Sequence, residues 1–554
     1  MQRTATIYTA RRIITMYPEQ PEATAVAVME GRIVGVGSRE SLRDDLACLP
    51  GTRVIEDGIF SGKVLMPGIV EAHTHLVIPA LEYANHFVSQ IPWPDPKGGF
   101  FPTYASKRDV LERLRELDAQ LPAGELLWAT HYDDNQAGGV LHRDELDAVS
   151  TRRPILVSNM VFHRFWANSS LLERAGVREG HVPPGAECDA DGRPNGTLIE
   201  APGFLLVSSA FPEIVNLTRE KLENILPLFR AQGITTVSEL VAGSRVALDR
   251  EYAQFESLLA EPGRGLRCAV YPHVHRLVER EGSLEAAIAR LEELSQRRSS
   301  RLWVAGAKLY HDGSIISHTC PLEWPGYWDG SGGKHMQHEP EEIRALLLAL
   351  HERGIPCVTH TNTSLAVQTV LDAVEEAQSR CCRPDIRHRV EHCYTMTAAQ
   401  LRRARALNVG VQFFTPQLYY YGDDHLRIVG RTRAENLVPV GTAERLGVSW
   451  GIHSDPPGTP QLPWQAVWAT VQRQTLGGKV LGEGQRVPLA AALRAITLEA
   501  AWQMHREDSL GSIEFGKQAD FCVLEEDPFR LPVDEIRHMP VWGTVTGGEI
   551  HPCA

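Results

Sequence analysis

The chain has 554 residues, of which 43% are hydrophobic and 23% charged, the balance of an ordinary globular protein. Its formal net charge of −13 argues against a nucleic-acid-binding surface, which needs concentrated positive charge. The N-terminus lacks the apolar segment of a signal peptide, and no window approaches the roughly 18 apolar residues of a membrane span. The ten cysteines are scattered along the chain. We therefore expect a reduced, cytoplasmic protein with no nucleic-acid or membrane partner.

The two ends of the chain share one pattern of short β-type segments separated by turns. Residues 5–66 show it first, with Glu30-Gly31 as a hairpin turn signal. Residues 506–554 return to it in GSIEFGKQADFCVLEEDP and PVWGTVTGGEI, after a helical segment over 488–505. We expect residues 1–66 and 506–554 to form one small β-sandwich together.

Residues 67–505 instead alternate short apolar segments with amphipathic helical segments, the pattern of an α/β protein with a parallel sheet. The predicted strands are GIVEAHTHL, GITTVSEL, RCAVYPHV, RLWVAGAKLY, GIPCVTH, RHRVEH, NVGVQFF and GVSWGIHSD. Eight strands with intervening helices predict a (β/α)₈ TIM barrel. The region of about 80–225 exceeds a minimal barrel, and we interpret it as an insertion after the first barrel strand.

Potential metal ligands stand at the ends of five of these predicted strands. They are His73 and His75 on the first strand, Lys308 on the fourth, His360 on the fifth, His392 on the sixth and Asp455 on the eighth. In a parallel barrel the C-terminal strand ends surround the active site. Each residue alone is more often structural, but their shared position favours one common site. His73 and His75 point to the same side of a strand and can bind one ion. Such ligands suit Zn²⁺, with Fe²⁺, Co²⁺, Mn²⁺ or Ni²⁺ as alternatives.

Longer stretches around these residues carry a family resemblance over nearly the whole chain. PGIVEAHTH resembles the first-strand HxH motif of the amidohydrolase superfamily, and ADFCVL after GSIEFGK resembles its C-terminal signature. The stretches KLYHDGSIISHT, RHRVEH, YYYGDDH and GIHSDPP are similar to those of the YtcJ-like branch, which includes N-substituted formamide deformylases.

The resemblance implies a centre of one or two divalent metal ions. In it His73, His75 and Asp455 would bind one ion, and His360 and His392 the other. Lys308 would bridge the two as a lysine carboxylated by CO₂. Carboxylation needs a neutral amine, a form that burial beside divalent ions favours.

The implied reaction is hydrolysis of the C–N bond of an N-substituted amide or formamide. The metal would activate a hydroxide and stabilise the oxyanion, while Asp455 would act first as general base and then as general acid. A hydrolytic deaminase or a lactone or carbamate hydrolase could use the same hydroxide. A non-catalytic barrel used as a binding module is the remaining alternative, and the presence of all six ligands argues against it.

Four more residues are candidates for binding the substrate or orienting a ligand: His163, Tyr310, Asp312 and His453. Aromatic residues cluster in segments predicted to reach the barrel mouth, so we expect a small-molecule substrate with an apolar or aromatic portion. After His360 the chain reads HTNTSLA where many relatives read HxxGD, which leaves the details of substrate recognition open. A homodimer is the prior expectation for the assembly.

Overall fold

The computed structural model describes residues 3–333 and 336–553. The chain forms two compact units. The first unit comprises Met1–Thr74, Leu226–Ser454 and Gln461–Ala554, and the second comprises His75–Ile225 and Asp455–Pro460. The domain limits expected from the sequence stay a prediction. None of the described helices is long and apolar enough to cross a membrane.

The strands of the described residues are, in chain order, β1 (Arg3–Ile14), β2 (Glu22–Met29), β3 (Arg32–Gly37), β4 (Thr52–Asp57), β5 (Val64–Pro67), β6 (Ile69–Thr74), β7 (His86–Phe87), β8 (Leu127–Tyr132), β9 (Ile155–Asn159), β10 (Arg164–Ala167), β11 (Ala186–Cys188), β12 (Pro194–Ile199), β13 (Ile234–Ala242), β14 (Arg267–Pro272), β15 (Leu302–Val304), β16 (Ala307–Tyr310), β17 (Cys357–Thr361), β18 (Arg389–His392), β19 (Gly410–Phe413), β20 (Trp450–Ile452), β21 (Phe521–Leu524), β22 (Val541–Thr546) and β23 (Glu549–Pro552).

The α-helices are α1 (Arg39–Ala47), α2 (Val77–Glu82), α3 (Lys107–Gln120), α4 (Asp134–Ala137), α5 (Arg143–Asp147), α6 (Ser169–Arg174), α7 (Glu200–Ala210), α8 (Arg219–Ala231), α9 (Leu248–Leu259), α10 (Val274–Glu281), α11 (Leu284–Gln296), α12 (Pro340–Glu352), α13 (Ser364–Arg380), α14 (Ala398–Ala406), α15 (Pro416–Tyr420), α16 (Gly422–Val429), α17 (Arg431–Ala434), α18 (Val440–Leu446), α19 (Pro463–Gln472), α20 (Leu489–Ala495) and α21 (Leu498–Trp502). Three 3₁₀ helices span Pro212–Val215, Glu483–Gln485 and Val533–His538.

Strands from both chain ends join in one eight-stranded sheet of the first unit. Its order is β23-β22-β21-β5-β1-β2-β3, and β4 pairs with β1. The predicted hairpin turn is confirmed, because Glu30 and Gly31 join β2 to β3 with φ of 51° and 75°. Since all eight strands belong to one hydrogen-bonded sheet, the two-layered sandwich expected from the sequence is not confirmed.

The chain leaves this sheet for the first parallel strand at Pro67-Gly68. Gly68 donates its N–H to the carbonyl oxygen of Asp520 (2.9 Å). A Cβ added at Gly68 would lie 2.1 Å from Thr235 Oγ1, so the close approach to β13 requires glycine here. Residues immediately after this glycine form β6, which carries the first candidate ligand.

All eight predicted parallel segments form strands, but they lie in two sheets and not in one closed barrel. Strands β15-β14-β13-β6 form a four-stranded sheet, and β16-β17-β18-β19-β20 form a five-stranded one. Hydrogen bonding among the described residues therefore does not close these strands into the barrel expected from the sequence. The predicted fourth strand, RLWVAGAKLY, divides into β15 and β16, which accounts for the ninth strand.

The division lies at Gly306, where the chain changes its pairing partner. Ala305 donates its N–H to Val270 on β14 (3.0 Å), whereas Ala307 donates to Pro356, just before β17 (2.8 Å). A Cβ at Gly306 would lie 2.5 Å from the Pro356 carbonyl oxygen, so this switch also depends on glycine. A single parallel bridge, His273 to Lys308, connects the two sheets at this point.

At the opposite edges, β20 and β6 are joined by side chains. The Ser454 N–H donates to Glu71 Oε1 (3.2 Å), and Gln461 Nε2 donates to Glu71 Oε2 (2.6 Å). Thr74 Oγ1 donates to Gln461 Oε1 (2.7 Å). The backbone N–H of Val70, on the edge of β6, donates to Ile496 (2.9 Å). These bonds satisfy edge groups that a closed ladder would have paired.

Helices α12 and α13 confirm the predicted helical segments over 341–354 and 364–378. In α12 the buried residues recur at helical spacing: Ile343, Leu346, Leu347 and Leu350. Pro340 stands at the first position, where its missing N–H costs nothing. Helix α13 begins after Thr363, whose side chain accepts from the Ala366 N–H. Both helices thereby cover strands of the five-stranded sheet with apolar faces.

The second unit has its own mixed sheet, in the order β11-β12-β10-β9-β8-β7. Its core includes Leu114 of α3, Leu127 of β8, Val157 of β9 and Trp166 of β10, each fully buried. The two strand-like segments predicted in this region, LLWATHYDD and PILVSNMVFH, correspond to β8 and β9.

A buried histidine pair behind β17 predicts sensitivity of the fold to acid. His388 Nδ1 accepts from the Cys357 N–H (3.0 Å), so its proton lies on Nε2, which faces His351 Nδ1 (2.9 Å). Burial first, and then His351, lower the pKa of His388 from 6.5 to about 3. Below pH 6.5 His388 takes up a proton in the unfolded chain but stays neutral in the folded protein. The free energy of unfolding therefore decreases as the pH is lowered.

For this one group we expect a loss of about 2 kcal/mol between pH 7 and pH 5. Urea unfolding of the native protein and of His388→Gln at both pH values measures it. The native protein should lose about 2 kcal/mol more than the variant over this interval. An equal loss of unfolding free energy in both proteins would contradict the prediction that His388 stays neutral in the folded protein.

Candidate metal centre

Four histidines of the first unit stand at the C-terminal ends of its parallel strands. His73 lies near the end of β6, His360 near the end of β17 and His392 at the end of β18, while His453 directly follows β20. All four are buried, with 1% to 6% of their surface exposed. The parallel direction of the strands brings these ends to one side of the sheets.

The imidazole nitrogens of these histidines converge. One ligand atom from each of His73, His392 and His453 lies within 4.8 Å of the others. His392 Nδ1 lies 3.2 Å from His453 Nε2, and His392 Nε2 lies 2.9 Å from His360 Nδ1. The ring of His73 stacks on that of His453 with centroids 4.3 Å apart.

This donor set fits a divalent transition metal. Two ligands bound tetrahedrally at Zn–N distances of about 2.0–2.1 Å lie about 3.3 Å from each other. The measured separation of 3.2 Å between the His392 and His453 nitrogens is close to that value. Buried imidazoles in this arrangement would bind Zn²⁺ and its neighbours in the first transition series.

A carboxylate fixes the orientation of His73. Glu391, on β18, accepts a hydrogen bond from His73 Nδ1 and a second from Arg389 Nε. Burial would raise the pKa of Glu391, but the charges of Arg389 and then His73 outweigh it and lower the pKa below its usual range. Because Nδ1 of His73 faces Glu391, Nε2 is the nitrogen that would bind a metal.

Lys308 lies in β16 and is fully buried. Its Nζ lies 5.0 Å from the centroid of the Tyr310 ring. The Lys308 charge contributes, after those of Arg389 and His73, to the low pKa of Glu391. Tyr310 in turn stacks on His360 with centroids 4.8 Å apart.

Asp312 holds the loop that follows His360. It is fully buried and accepts from the Asn362 N–H (2.9 Å), the Thr363 N–H (2.8 Å) and the Thr363 hydroxyl (2.9 Å). Its Oδ1 lies 3.6 Å from His360 Nε2. Burial raises the pKa of Asp312 to about 7, against the lowering effect of these hydrogen bonds. In this structure Asp312 therefore positions the His360 loop.

We expect Asp312→Asn to weaken metal binding by about tenfold, because an amide nitrogen would face one of the backbone N–H donors. Metal affinity of the native and variant proteins, measured with a competing chelator, checks this. Asp508→Asn, at an exposed aspartate, serves as the control. Equal affinity in all three proteins would show that Asp312 does not position His360.

The backbone at the end of β18 is strained. His392 and its neighbour Cys393 have φ of 70° and 51°, in the left-handed region that residues other than glycine rarely enter. The Cys393 N–H donates to Thr361 (3.0 Å), which holds this turn in place. Strain of this kind persists where surrounding bonds impose it, and it is concentrated at functional sites.

The second unit contains the remaining predicted site residues. His75 Nε2 lies 3.1 Å from Asp455 Oδ1, and Asp455 also has a left-handed φ of 53°. His163 Nδ1 lies 2.9 Å from Glu200 Oε2. The structure thus pairs His75 with Asp455, and it pairs His163 with a carboxylate that the sequence analysis did not consider.

Several residues of the centre were missed from the sequence. Glu391 and Arg389 form the buried ion pair beside His73, and Asn362 Nδ2 lies 3.0 Å from His360 Nε2. A signal for Glu391 was available, because charged residues are rare inside a parallel strand and this one directly precedes His392. Asn362 lies in a loop whose course the sequence did not reveal.

Comparison with known proteins identifies the type of enzyme. The model of the Amidohydrolase family (Amidohydro_3) matches residues 61–551. The chain belongs to the amidohydrolase family. As a member of this family, the amidohydrolase is a hydrolase that acts on carbon–nitrogen bonds.

Individual relatives span nearly the whole amidohydrolase chain. A Bacillus subtilis (strain 168) protein named as the amidohydrolase YtcJ is 25% identical, with 97% of each chain covered. An N-substituted formamide deformylase of Arthrobacter pascens is 26% identical over 95% of this chain and 94% of its own. A metal-dependent hydrolase from Pyrococcus horikoshii shares the fold, with a TM-score of 0.71, 20% identity and coverage of 96% and 99%.

Proposed function

We propose that this amidohydrolase hydrolyses an N-substituted amide or formamide and releases an amine. The observation that carries the proposal is the series of buried imidazoles from His453 through His392 to His360, whose nitrogens lie 3.2 and 2.9 Å apart. The deformylase relative from Arthrobacter pascens supports the choice of substrate class.

For the metal ligands we propose the set implied by the sequence motifs. In this set His73, His75 and Asp455 would hold one ion, His360 and His392 would hold a second, and Lys308, carboxylated by CO₂, would bridge the two. The convergence of His73, His360 and His392 in the first unit supports this set. For His75 and Asp455 the support is their pairing in the second unit. The metal is proposed to be zinc.

His453 has a different proposed role from the one expected at the outset. The sequence suggested that it binds the substrate, but its Nε2 lies 3.2 Å from His392 Nδ1 and its ring stacks on His73. We propose that His453 is a further ligand of the metal centre, beside His392. Tyr310 and His163 remain the proposed contacts for the substrate.

The protein groups have separate tasks in this reaction. A divalent metal ion, when bound, would lower the pKa of a water molecule and polarise the substrate carbonyl. Asp455 accepts a proton from the water and delivers it to the leaving amine. Glu391 holds His73 in one orientation, and Asp312 holds the loop that carries Asn362 beside His360.

We also propose that the two parallel sheets correspond to the (β/α)₈ barrel of the family. The chain passes between them at Gly306, and the side chains of Glu71 and Gln461 bond β6 to the chain after β20. The sheet formed by both chain ends is proposed to correspond to the small β-sandwich of such enzymes.

The proposal is tested by incubating the purified protein with N-formyl, N-acetyl and longer N-acyl amines. Released amine is measured, together with the metal content of the same sample. We expect one or two divalent ions per chain and hydrolysis that stops on chelation and returns when metal is added back. Full activity in metal-free protein would contradict the proposal.

A matched pair of histidine variants locates the activity. His392→Asn removes a buried imidazole of the centre, whereas His538→Asn removes an exposed one. We expect lower metal content and loss of hydrolysis only in His392→Asn. Equal metal content and activity in both variants would place the centre elsewhere.

A further inference from the structure

A second group of metal-ligand side chains lies in the first unit, apart from the four histidines of the candidate centre. It consists of His275, His338 and Glu342, whose ligand atoms lie within 4.8 Å of one another. We propose that these three residues bind a divalent transition-metal ion at a site additional to the candidate centre.

Two segments of the chain supply the ligands. His275 stands in the first turn of α10, just after β14, and is buried with 5% of its surface exposed. His338 precedes α12, and Glu342 lies in the first turn of that helix. The His338 backbone is held by His311, whose Nδ1 lies 3.0 Å from the His338 carbonyl oxygen. The position of the site is therefore fixed by two helices and by the end of β16.

The ligand atoms lie at separations that suit neighbouring ligands of one ion. His275 Nδ1 lies 2.9 Å from Glu342 Oε1, and His338 Nδ1 lies 3.1 Å from the same oxygen. The two imidazole rings stack with centroids 3.5 Å apart, so their Nδ1 atoms stand side by side. These separations are near the value of about 3.3 Å expected for neighbouring ligands of a tetrahedral zinc ion.

The three side chains together make up a ligand set that zinc accepts, two imidazoles and one carboxylate. Such a set leaves a fourth position for water, as in three-ligand zinc sites. The part-exposed His338 and the exposed Glu342 give the ion a path from solvent.

Metal binding moves one proton within His275. The Tyr310 N–H donates to His275 Nε2 (3.3 Å), so in the free site the ring proton lies on Nδ1 and is donated to Glu342. When the ion takes the Nδ1 lone pair, that proton transfers through solvent to Nε2. The N–H groups of His275 Nε2 and Tyr310 then face each other, so the hydrogen bond between these two atoms is lost. Occupancy of the site therefore changes the hydrogen bonding of β16.

Zinc binding to the holoenzyme tests the site. The protein is first loaded at the candidate centre and then dialysed against Zn²⁺, and bound zinc is counted for the native chain, His338→Ala and Glu342→Gln. We expect one ion fewer per chain in each variant, or an affinity at least ~10-fold lower. The control is Glu341→Gln, which removes an exposed carboxylate one residue away and should bind zinc as the native chain does.

Equal zinc binding by all four proteins would mean an adventitious ion only and would overturn the proposal. Hydrogen exchange supplies a second readout, because the Tyr310 amide should exchange faster once zinc is bound. Unchanged exchange at saturating zinc would overturn the assignment of His275 Nδ1 as a ligand. Both variants lie at partly or fully exposed positions, so the fold should survive the changes.

Discussion

Replacing Asp455 by Asn is expected to lower kcat/KM by at least about three orders of magnitude, because the carboxylate is proposed both to bind metal and to transfer the proton. Asn has nearly the same shape but cannot accept and return that proton. The fold should be retained, since Asp455 has a left-handed φ of 53° and Asn is among the residues that tolerate this region. Steady-state kinetics and thermal unfolding of the variant measure the two effects separately.

The matched control for Asp455→Asn is Asp508→Asn, the same chemical change at an exposed position. It should retain both the activity and the melting temperature of the native protein. Native-like kcat/KM in Asp455→Asn would contradict the role proposed for Asp455, whatever the control shows.

Replacing Glu391 by Gln is expected to weaken metal binding by about 10- to 100-fold. The Gln side chain offers one acceptor oxygen, whereas Glu391 accepts from both His73 and Arg389. Because the change also leaves the buried Arg389 without a counter-charge, we expect the free energy of unfolding to fall by about 3 kcal/mol. Chelator competition gives the affinity, and urea unfolding of the metal-free protein gives the stability.

Glu352→Gln, at an exposed glutamate on α12, is the control for this pair of measurements. Both quantities should stay at their native values in the control. A Glu391→Gln variant with native metal affinity would show that Glu391 stabilises the fold without orienting His73.

Much of the fold could be predicted, because the spacing of apolar residues along the chain indicates which positions are buried. All eight parallel strand segments and the helices α12 and α13 were located from apolar spacing alone. The arrangement of those strands was less accessible. The switch of partners at Gly306 depends on a backbone contact with Pro356, and the bonding of β6 to the chain after β20 depends on Glu71 and Gln461. Single-residue contacts of this kind leave no periodic signal.

The residues of the candidate site could be predicted where they stand at the ends of predicted strands. His73, His360 and His392 were selected because each closes a predicted strand, and the structure brings them together in the first unit. Their supporting residues were not found, because Glu391 is recognised as an orienting group only when β18 is seen opposite β6. The role of Asp312 likewise depends on the course of the loop after His360.

The histidine cluster of the first unit is proposed to hold the catalytic metal. Anomalous scattering from crystals of the active, metal-loaded enzyme, recorded at the absorption edge of the metal found by elemental analysis, can locate that ion. We expect a peak among the imidazoles of His73, His360, His392 and His453. A fully active enzyme whose anomalous density is absent from this cluster would contradict it.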